Sequence, residues 1–273
     1  MPARSVLVAF VSAAPQPLLS AAHVAFAYGD QPVLRDVAVA LAGGEVVALI
    51  GPNGSGKSTL IKCLLGHLRS TGSIAWAGRN LGAWGRRELA RFVAYLPQAP
   101  SYDVDQTVSD VLRLGRAPYW GAFGIESASD AAVVGNVAAR LGLTDLLDRP
   151  MAELSGGQRQ RVFVGRCLAQ QPKALLLDEP NTYLDLRHQV DLGQLLRSLA
   201  REQGIGVLMA SHDLNLAAAF ADRLVLLGGG TVRADGRPTD VLRPDVLEPV
   251  YEVPLRRVDV GPGAPPVVVP VVG

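Results

Sequence analysis

Apolar residues along this chain follow two different periods, and the period predicts the kind of element at each place. Short and almost uninterrupted apolar runs are typical of buried strands in a parallel sheet; they are Glu45–Ile50, Ala174–Leu177 and Ile205–Ala210. Stretches in which apolar residues recur every three or four positions predict helices; they are Lys57–Leu68, Thr107–Arg116, Asp130–Leu141, Gly156–Gln170, Gln189–Arg201 and Leu214–Ala221. The pattern predicts an α/β fold with a mostly parallel sheet.

Further elements flank and interrupt this core. Leu18–Tyr28 and Val33–Leu41, joined by a turn at Gly29-Asp30, predict an N-terminal antiparallel β subdomain. The helices between about residues 99 and 165 predict an inserted α-helical subdomain. Near the C-terminus, a hairpin turn at 228–230 joins two short strands.

The two ends carry weaker patterns, and we expect one domain over residues 18–245 between a loose leader, 1–17, and a tail, 246–273. Arg4 followed by the short apolar run 6–11 resembles a secretion signal, with a frayed or misassigned start as the alternative. The Pro/Val/Gly-rich end of the tail fits either an added strand or an unstructured end. Uncharged apolar stretches stay below 18 residues, so the sequence predicts no membrane-spanning helix.

Composition narrows the class of protein. Hydrophobic residues make up 49% of the 273 positions, which argues against a disordered chain. The net charge is +1, so the chain has no electrostatic footprint for nucleic acid. Cys63 and Cys167 fall inside helix-like segments and lack metal-ligand spacing, which argues against a disulfide framework and favours two buried thiols in a reducing cytoplasm.

A glycine-rich loop between the first buried strand and the first helix carries the clearest chemistry. Residues Gly51, Pro52, Asn53, Gly54, Ser55, Gly56, Lys57 and Ser58 fit the pattern G-x-x-x-x-G-K-[ST] in full. The glycines let backbone N–H groups converge on phosphate oxygens, and the helix adds the positive end of its dipole. Lys57 is predicted to contact the β- and γ-phosphates, Ser58 to ligate Mg²⁺, and Thr59 to add a phosphate contact. The loop predicts a site for Mg²⁺ and ATP.

Two carboxylates follow the second buried strand. Asp178 and Glu179 end the run Leu175-Leu176-Leu177, and ligands of parallel sheets bind at the carboxyl ends of strands. Asp178 is predicted to orient Mg²⁺ and its waters. Glu179, one position further, is predicted to polarise the attacking water as general base.

A second helix begins with small residues whose exposed backbone N–H groups could bind an anion. Ser155, Gly156, Gly157 and Gln158 open the helix that follows Leu154. Such a site is redundant within one chain but useful if it covers the γ-phosphate held by another copy. A plain helix cap at Ser155 is the alternative.

These motifs together resemble a known family. The phosphate loop, LSGGQ at 154–158, LLLDE at 175–179 and the Ser-His-Asp triplet at 211–213 occur in the order of ATP-binding cassette (ABC) proteins, and the resemblance covers about residues 18–245. It implies that Tyr28 stacks on adenine, although a strand-end core tyrosine is the alternative. It also implies that Gln98 senses Mg²⁺ and the attacking water, that His212 contacts the γ-phosphate, and that Asp185 lies in a loop crossing a dimer interface. The sequence departs from the family pattern at Asn181, where threonine is usual.

A cassette alone does not say what the ATP is used for. The motor subunit of a transporter, a DNA-repair or chromosome-type ATPase and a ribosome-acting ATPase are the alternatives. Gly51 and Ser155 are 104 positions apart, too few for a long coiled-coil arm. Ribosome-acting members usually carry two cassettes, whereas this chain has one. The transporter subunit is therefore favoured.

Two segments resemble one group of importers. Thr107–Gly121 and Asn181–Gln189 resemble the corresponding stretches in importers of iron–siderophore, haem and vitamin B12. The resemblance implies iron-chelate uptake first, with cobalamin and haem as alternatives. It further implies a transmembrane permease, an extracytoplasmic substrate-binding protein and a place on the cytoplasmic face of the membrane. Two copies would close head to tail over two Mg²⁺-bound ATP molecules.

Overall fold

The computed structural model describes residues 17–121, 124–182, 184–261 and 263–271. The secretion-like pattern of the leader and Tyr183 fall outside the described residues. The strands in chain order are β1 (Leu19–Tyr28), β2 (Gln31–Leu41), β3 (Val46–Ile50), β4 (Thr71–Trp76), β5 (Arg79–Asn80), β6 (Val93–Leu96), β7 (Ala174–Asp178), β8 (Gly206–Ala210), β9 (Arg223–Gly228), β10 (Thr231–Gly236), β11 (Leu255–Val258) and β12 (Val267–Pro270). The helices are α1 (Lys57–Leu64), α2 (Arg86–Phe92), α3 (Val108–Leu114), α4 (Ala128–Arg140), α5 (Gly156–Ala169), α6 (Leu186–Gln203), α7 (Leu214–Phe220), α8 (Pro238–Val241) and α9 (Pro244–Tyr251).

A six-stranded sheet with the order β10-β9-β3-β8-β7-β6 forms the centre of the molecule. Strands β9, β3, β8, β7 and β6 are parallel, and β10 joins antiparallel through the hairpin. The carboxyl ends of β3, β7 and β8 lie side by side, since β3 pairs with β8 and β8 pairs with β7. This arrangement confirms the predicted α/β class and brings the motifs after these three strands to one edge.

A separate antiparallel sheet, with the order β2-β1-β4-β5, covers one face of the central sheet. It confirms the predicted N-terminal β subdomain. The pattern did not reveal β4 and β5, which complete it. Helices cover the other face, so the central strands are buried on both sides.

Alternate residues of the central strands enter two different cores. In β3, Val47 and Leu49 pack toward the antiparallel sheet, whereas Ala48 and Ile50 pack toward the helices. This alternation follows from the two-residue period of a strand. The two cysteines are distributed in the same way: Cys63 lies in the first core and Cys167 in the second, and both are buried.

The predicted helical insert is present as α3, α4 and the first part of α5. Arg116, just after α3, donates to Asp130 of α4 (Nε to Oδ1, 2.8 Å) and to the carbonyl of Ala169 at the end of α5 (2.6 Å). Arg116 and Asp130 are both buried. Hydrogen bonds from the Ser127 backbone, the Arg116 guanidinium and the Ser127 hydroxyl lower the pKa of Asp130 to about 2. This buried pair ties the three helices together.

Side chains that the sequence places at helix starts act as caps. In each case a side-chain oxygen accepts a hydrogen bond from a backbone N–H of the first turn. The capping residues are Thr107, Ser127, Ser155, Asp185 and Asp213. The predicted end of the first helix at Leu68 is wrong: α1 ends at Leu64, and Gly66 in the left-handed region follows it.

The C-terminal residues fold onto the core. The predicted boundary at 245 falls within α9, whose Leu247 is fully buried. Strands β11 and β12 pair antiparallel, so the end of the tail contains a strand. Asn215 of α7 holds β12 through two hydrogen bonds with the Val268 backbone, at 3.0 and 2.9 Å. Within the described ranges, no helix combines the length and apolar character needed to cross a bilayer.

Candidate functional site

The glycine-rich loop leaves the end of β3 and leads into α1. Gly51 has φ +147° and Gly56 has φ +103°, a region that side chains rarely tolerate. A Cβ on Gly51 would lie 2.2 Å from the Leu227 carbonyl oxygen, and one on Gly56 would lie 2.7 Å from the Leu34 side chain. Both positions therefore require glycine. The result is a loop whose backbone curves around an open space in front of α1.

Lys57 lies folded back over this loop. Its Nζ donates to the carbonyls of Gly51 (2.8 Å) and Pro52 (3.2 Å), and the side chain is buried. Burial lowers the pKa of Lys57, while the nearby Glu179 and Asp178 act in the opposite direction. The ammonium group is thus held by two neutral carbonyl oxygens. Phosphate oxygens would bind it more strongly, because they carry negative charge.

Ser58 and Asp178 meet at the edge of the sheet. The Ser58 hydroxyl donates to Oδ1 of Asp178 at 2.7 Å. Asp178 ends β7 and is only 3% exposed; burial raises its pKa, and the Ser58 hydrogen bond partly offsets that effect. A hydroxyl and a buried carboxylate are hard oxygen ligands, so this pair fits the predicted Mg²⁺.

Glu179 lies at the centre of a second group. Its Oε2 accepts a hydrogen bond from Nε2 of Gln98 (2.8 Å) and is 3.8 Å from Nδ1 of His212. Glu179 adopts φ +50°, unusual for a residue with a side chain, and its side chain is 14% exposed. Three predicted residues from three separate segments therefore converge beside the loop.

A cavity of about 620 Å³ contains these groups. Its described lining consists of Val33, Asn53, Gly54, Ser55, Gly56, Lys57, Ser58, Thr59, Gln98, Glu179 and His212. The buried hydroxyl of Ser55 has no hydrogen-bond partner among the described residues. An unpaired buried donor and a cationic lysine over a glycine cradle fit a bound polyphosphate.

Tyr28 is the last residue of β1, and the residue is 48% exposed. It contacts Phe26 edge to face, with ring centroids 4.8 Å apart. About half of this residue is therefore accessible, which suits the predicted stacking on a base better than the alternative of a core tyrosine.

Ser155, Gly156, Gly157 and Gln158 stand apart from this cavity; among the described residues, its lining includes none of the four. Ser155 and Gln158 form a reciprocal capping box at the start of α5, with distances of 3.2 and 2.9 Å. The Ser155 side chain thus has the capping role that the sequence offered as the alternative, while Ser155 and Gly156 remain exposed.

A histidine that the sequence did not single out connects this helix start to Asp185. The backbone N–H of His188 donates to Oδ1 of Asp185 at 2.9 Å, and Nδ1 of His188 lies 2.7 Å from the same oxygen. The backbone hydrogen bond, followed by the side-chain contact, lowers the pKa of Asp185. A Cβ on Gly157 would lie 2.5 Å from the His188 ring, so the glycine allows close packing. Both segments predicted to face a second copy are therefore joined in one surface.

One further residue at the site escaped the sequence patterns. Val33 of β2 lines the cavity, although its sequence reads as an ordinary strand residue. No local signal connects Val33 with the phosphate loop, because the contact arises from packing between separate elements.

The strand, the glycine loop with Lys57 and Ser58, and the acidic end of β7 define the class of P-loop nucleoside triphosphatases. Residues 34–182 match the family model described as ABC transporter.

Three curated relatives are similar over most of the chain. The iron(3+)-hydroxamate import ATP-binding protein FhuC of Bacillus subtilis is 38% identical over 86% of this chain and 88% of its own length. Hemin import ATP-binding proteins HmuV are 42% identical in Rhodococcus jostii (88% of this chain, 82% of the relative) and 43% identical in Streptomyces coelicolor (89% and 86%).

Solved structures agree with the fold. A metal-chelate type ABC transporter in an inward-facing conformation matches with a TM-score of 0.82 and 28% identity, covering 94% of this chain and 98% of the solved chain. An ATP-binding cassette of an ABC transporter in its ADP conformation matches with a TM-score of 0.78 and 26% identity, covering 87% and 99%. The chain belongs to the ABC transporter family, and it binds and hydrolyses ATP as the sequence predicts.

Proposed function

We propose that this chain is the ATPase subunit of an importer that takes up an iron chelate, a siderophore or haem. The observation that carries the proposal is the sequence identity of 38–43% to import subunits over 86–89% of the chain. None of these three relatives is described as a DNA-repair or ribosome-acting protein. Cobalamin, the remaining alternative from the sequence, has less support than the two iron chelates.

In the proposed site, the loop and Lys57 hold the phosphates, and Ser58 with Asp178 holds Mg²⁺. When bound, Mg²⁺ would neutralise charge on the β- and γ-phosphates. Gln98 and Glu179 together position the attacking water, since the amide fixes one carboxylate oxygen at 2.8 Å. Glu179 accepts the proton of that water as general base. His212, 58% exposed, remains free to turn toward the γ-phosphate.

The proposed cycle needs two copies. Residues 155–158 lie outside the phosphate cavity of their own chain, and Ser155 and Gly156 at this helix start are exposed. Head-to-tail pairing brings this helix start over the γ-phosphate of the second copy, where its N–H groups and dipole favour negative charge. Hydrolysis removes that attraction and lets the pair reopen.

Gln98 also connects the site with the helical insert. It precedes residues 99–107, which lead into α3. Because Gln98 is bonded to Glu179, a change at the γ-phosphate would be passed to this segment. We place the permease contact on this side of the molecule and the chain on the cytoplasmic face of the membrane. An extracytoplasmic binding protein would deliver the chelate to the permease.

The test is growth of a deletion strain on defined iron sources. Loss of growth on a hydroxamate siderophore or on haem, restored by the intact gene but not by Glu179→Gln, supports the proposal. The matched control is growth on a soluble ferrous salt, which needs no chelate importer. Normal growth on every chelate, or a defect confined to cobalamin, would contradict iron-chelate import.

A further inference from the structure

The backbone of Glu179 has a conformation that its surroundings must hold in place. Its φ of +50° lies in the left-handed region, which residues with side chains rarely adopt without support from their neighbours. Two backbone hydrogen bonds act on this residue: its N–H donates to the Ala210 carbonyl at 3.2 Å, and its carbonyl accepts from the Thr182 N–H at 3.3 Å. Both distances are at the long end of the usual range or beyond it, so these bonds restrain Glu179 only weakly.

A side chain from another element makes a shorter hydrogen bond to the next residue. Nε2 of Gln160 donates to the carbonyl of Pro180 at 2.6 Å. Pro180 is buried and has no N–H, so its carbonyl is the only backbone group by which a hydrogen bond can hold it. Since a proline also restricts the backbone of the residue before it, fixing Pro180 restrains Glu179 as well.

Gln160 belongs to a helix that is itself fastened to the central sheet. It lies near the start of α5, and Val162 and Val164 of this helix are fully buried in the core under the helices. At the other end of α5, Nε2 of Gln170 donates to the carbonyl of Val93 in β6 at 2.9 Å. The helix therefore gives the Gln160 amide a fixed position relative to the sheet edge that carries Glu179.

Two glutamine amides from separate segments thus hold the predicted base. Gln98 donates to the carboxylate of Glu179 at 2.8 Å, whereas Gln160 holds the residue that follows Glu179. The first bond orients the reacting group, and the second fixes the backbone from which the side chain extends. A general base must lie within hydrogen-bond reach of the water that it activates, and a misplacement of about 1 Å can lower a rate about a hundredfold.

We infer that Gln160 is a positioning residue for ATP hydrolysis, whose hydrogen bond to the Pro180 carbonyl keeps Glu179 directed at the attacking water. Gln160 is absent from the described lining of the phosphate cavity, so it acts through Glu179 and not on the nucleotide. The inference rests on the role of Glu179 in the proposed function and adds a residue that lies just outside the LSGGQ motif.

The test replaces Gln160 by methionine in the full-length chain. Gln160→Met keeps an unbranched side chain of similar length but removes the amide donor. We expect kcat for ATP hydrolysis to fall about ten- to a hundredfold, while the Kd for Mg²⁺-bound ATP stays within about twofold of the wild type. Rates are expressed per mole of bound ATP, so that a smaller folded fraction cannot imitate a slower reaction.

A double variant shows whether Gln160 acts through Glu179. In a chain that already carries Glu179→Gln, adding Gln160→Met should lower the residual rate by less than about twofold, because the base that Gln160 positions is gone. A merely structural glutamine would slow both backgrounds by the same factor. Equal factors in the two backgrounds would therefore overturn the inference.

Gln170→Met is the matched control. It removes an amide donor from the end of the same helix, where the acceptors are the carbonyls of Ala90 and Val93. This variant should keep the wild-type kcat and Kd even where it lowers the thermal midpoint. A wild-type kcat in Gln160→Met, or an equal loss of kcat in Gln170→Met, would refute the role of Gln160 alone. A wild-type rate in Glu179→Gln would instead refute the base assigned in the proposed function.

Discussion

The ammonium group of Lys57 is buried, and within the described chain it donates hydrogen bonds only to two carbonyl oxygens of its own loop. These carbonyls stabilise the ammonium group less than ionised phosphates would. The loss of hydration that lowers the pKa of Lys57 therefore also prepares it for an anion.

Replacement of this lysine tests the phosphate loop directly. We expect Lys57→Ala to weaken ATP binding about ten- to a hundredfold, since charge-assisted hydrogen bonds contribute about 1.5–3 kcal/mol. Titration calorimetry measures the change. Lys173→Ala, which removes an exposed lysine at the opposite end of the sheet, is the control and should bind normally. Tight binding by Lys57→Ala would count against the assignment.

Glu179 is expected to act on the rate and not on affinity. Glu179→Gln keeps the shape of the side chain but removes the base, so hydrolysis should fall about 10²- to 10⁴-fold. ATP affinity should remain near that of the wild type. Phosphate release measures the rate, and Glu202→Gln, at a surface ion pair, serves as control. An unchanged rate would reject Glu179 as the base.

Sequence reasoning reached those site residues that lie within local motifs. The phosphate loop and the acidic end of β7 depend on neighbours a few positions away, so the pattern contains the information. The bond between Gln98 and Glu179 joins segments 81 positions apart. The local pattern predicted Glu179, whereas only the resemblance suggested Gln98. Val33 had neither signal, because its place in the cavity wall arises from packing between separate elements.

At the scale of elements, the buried pair of Arg116 and Asp130 is the main polar link in the helical insert. Asp130→Asn would leave the Arg116 guanidinium buried without its counter-charge. We expect a loss of about 3 kcal/mol in the free energy of unfolding at pH 7. Urea denaturation measures it. Asp110→Asn is the control. Asp110 has the equivalent capping role at the start of α3, but it is exposed and has no buried arginine partner. This variant should lose only about 1 kcal/mol in the free energy of unfolding.

The same pair predicts a pH dependence. The pKa of Asp130 is about 2 in the folded chain and 3.8 in its ordinary state, so the ionised form favours folding. This contribution is complete above about pH 5 and is lost as the pH falls from about 4 through about 2. The difference in unfolding free energy between wild type and Asp130→Asn should therefore narrow at pH 3. A difference that is constant from pH 7 to pH 3 would contradict the assignment.

The elements that sequence reasoning missed lack the usual signals. β6 has four residues and follows α2 directly, so no turn residues mark its start. In β4 only Ile74 and Trp76 are buried, too few to reveal a two-residue period. α9 contains Pro249, which argues against a helix in local terms, yet burial of Leu247 stabilises it.

At the scale of the whole molecule, the exposed helix start at Ser155 is the feature on which the proposed pairing of two copies rests. We expect Glu179→Gln with Mg²⁺ and ATP to form a dimer of twice the 28.8 kDa chain mass, because bound nucleotide accumulates. Light scattering after gel filtration measures the mass. Adding Ser155→Glu should abolish the dimer by repelling the γ-phosphate, while each chain still binds ATP. A dimer that persists in this double variant would disprove the head-to-tail arrangement.

The reactivity of the two buried thiols measures how often the core around each of them opens. Cys63 belongs to the core under the antiparallel sheet, and Cys167 to the core under the helices. Burial raises the pKa of both, that of Cys167 to about 11, so neither reacts until its surroundings separate. Thiol-labelling rates of single-cysteine chains would then show whether one core opens more often than the other. Rates with and without nucleotide would show whether binding slows opening of both cores or only of the core that contains Cys63, next to the phosphate loop.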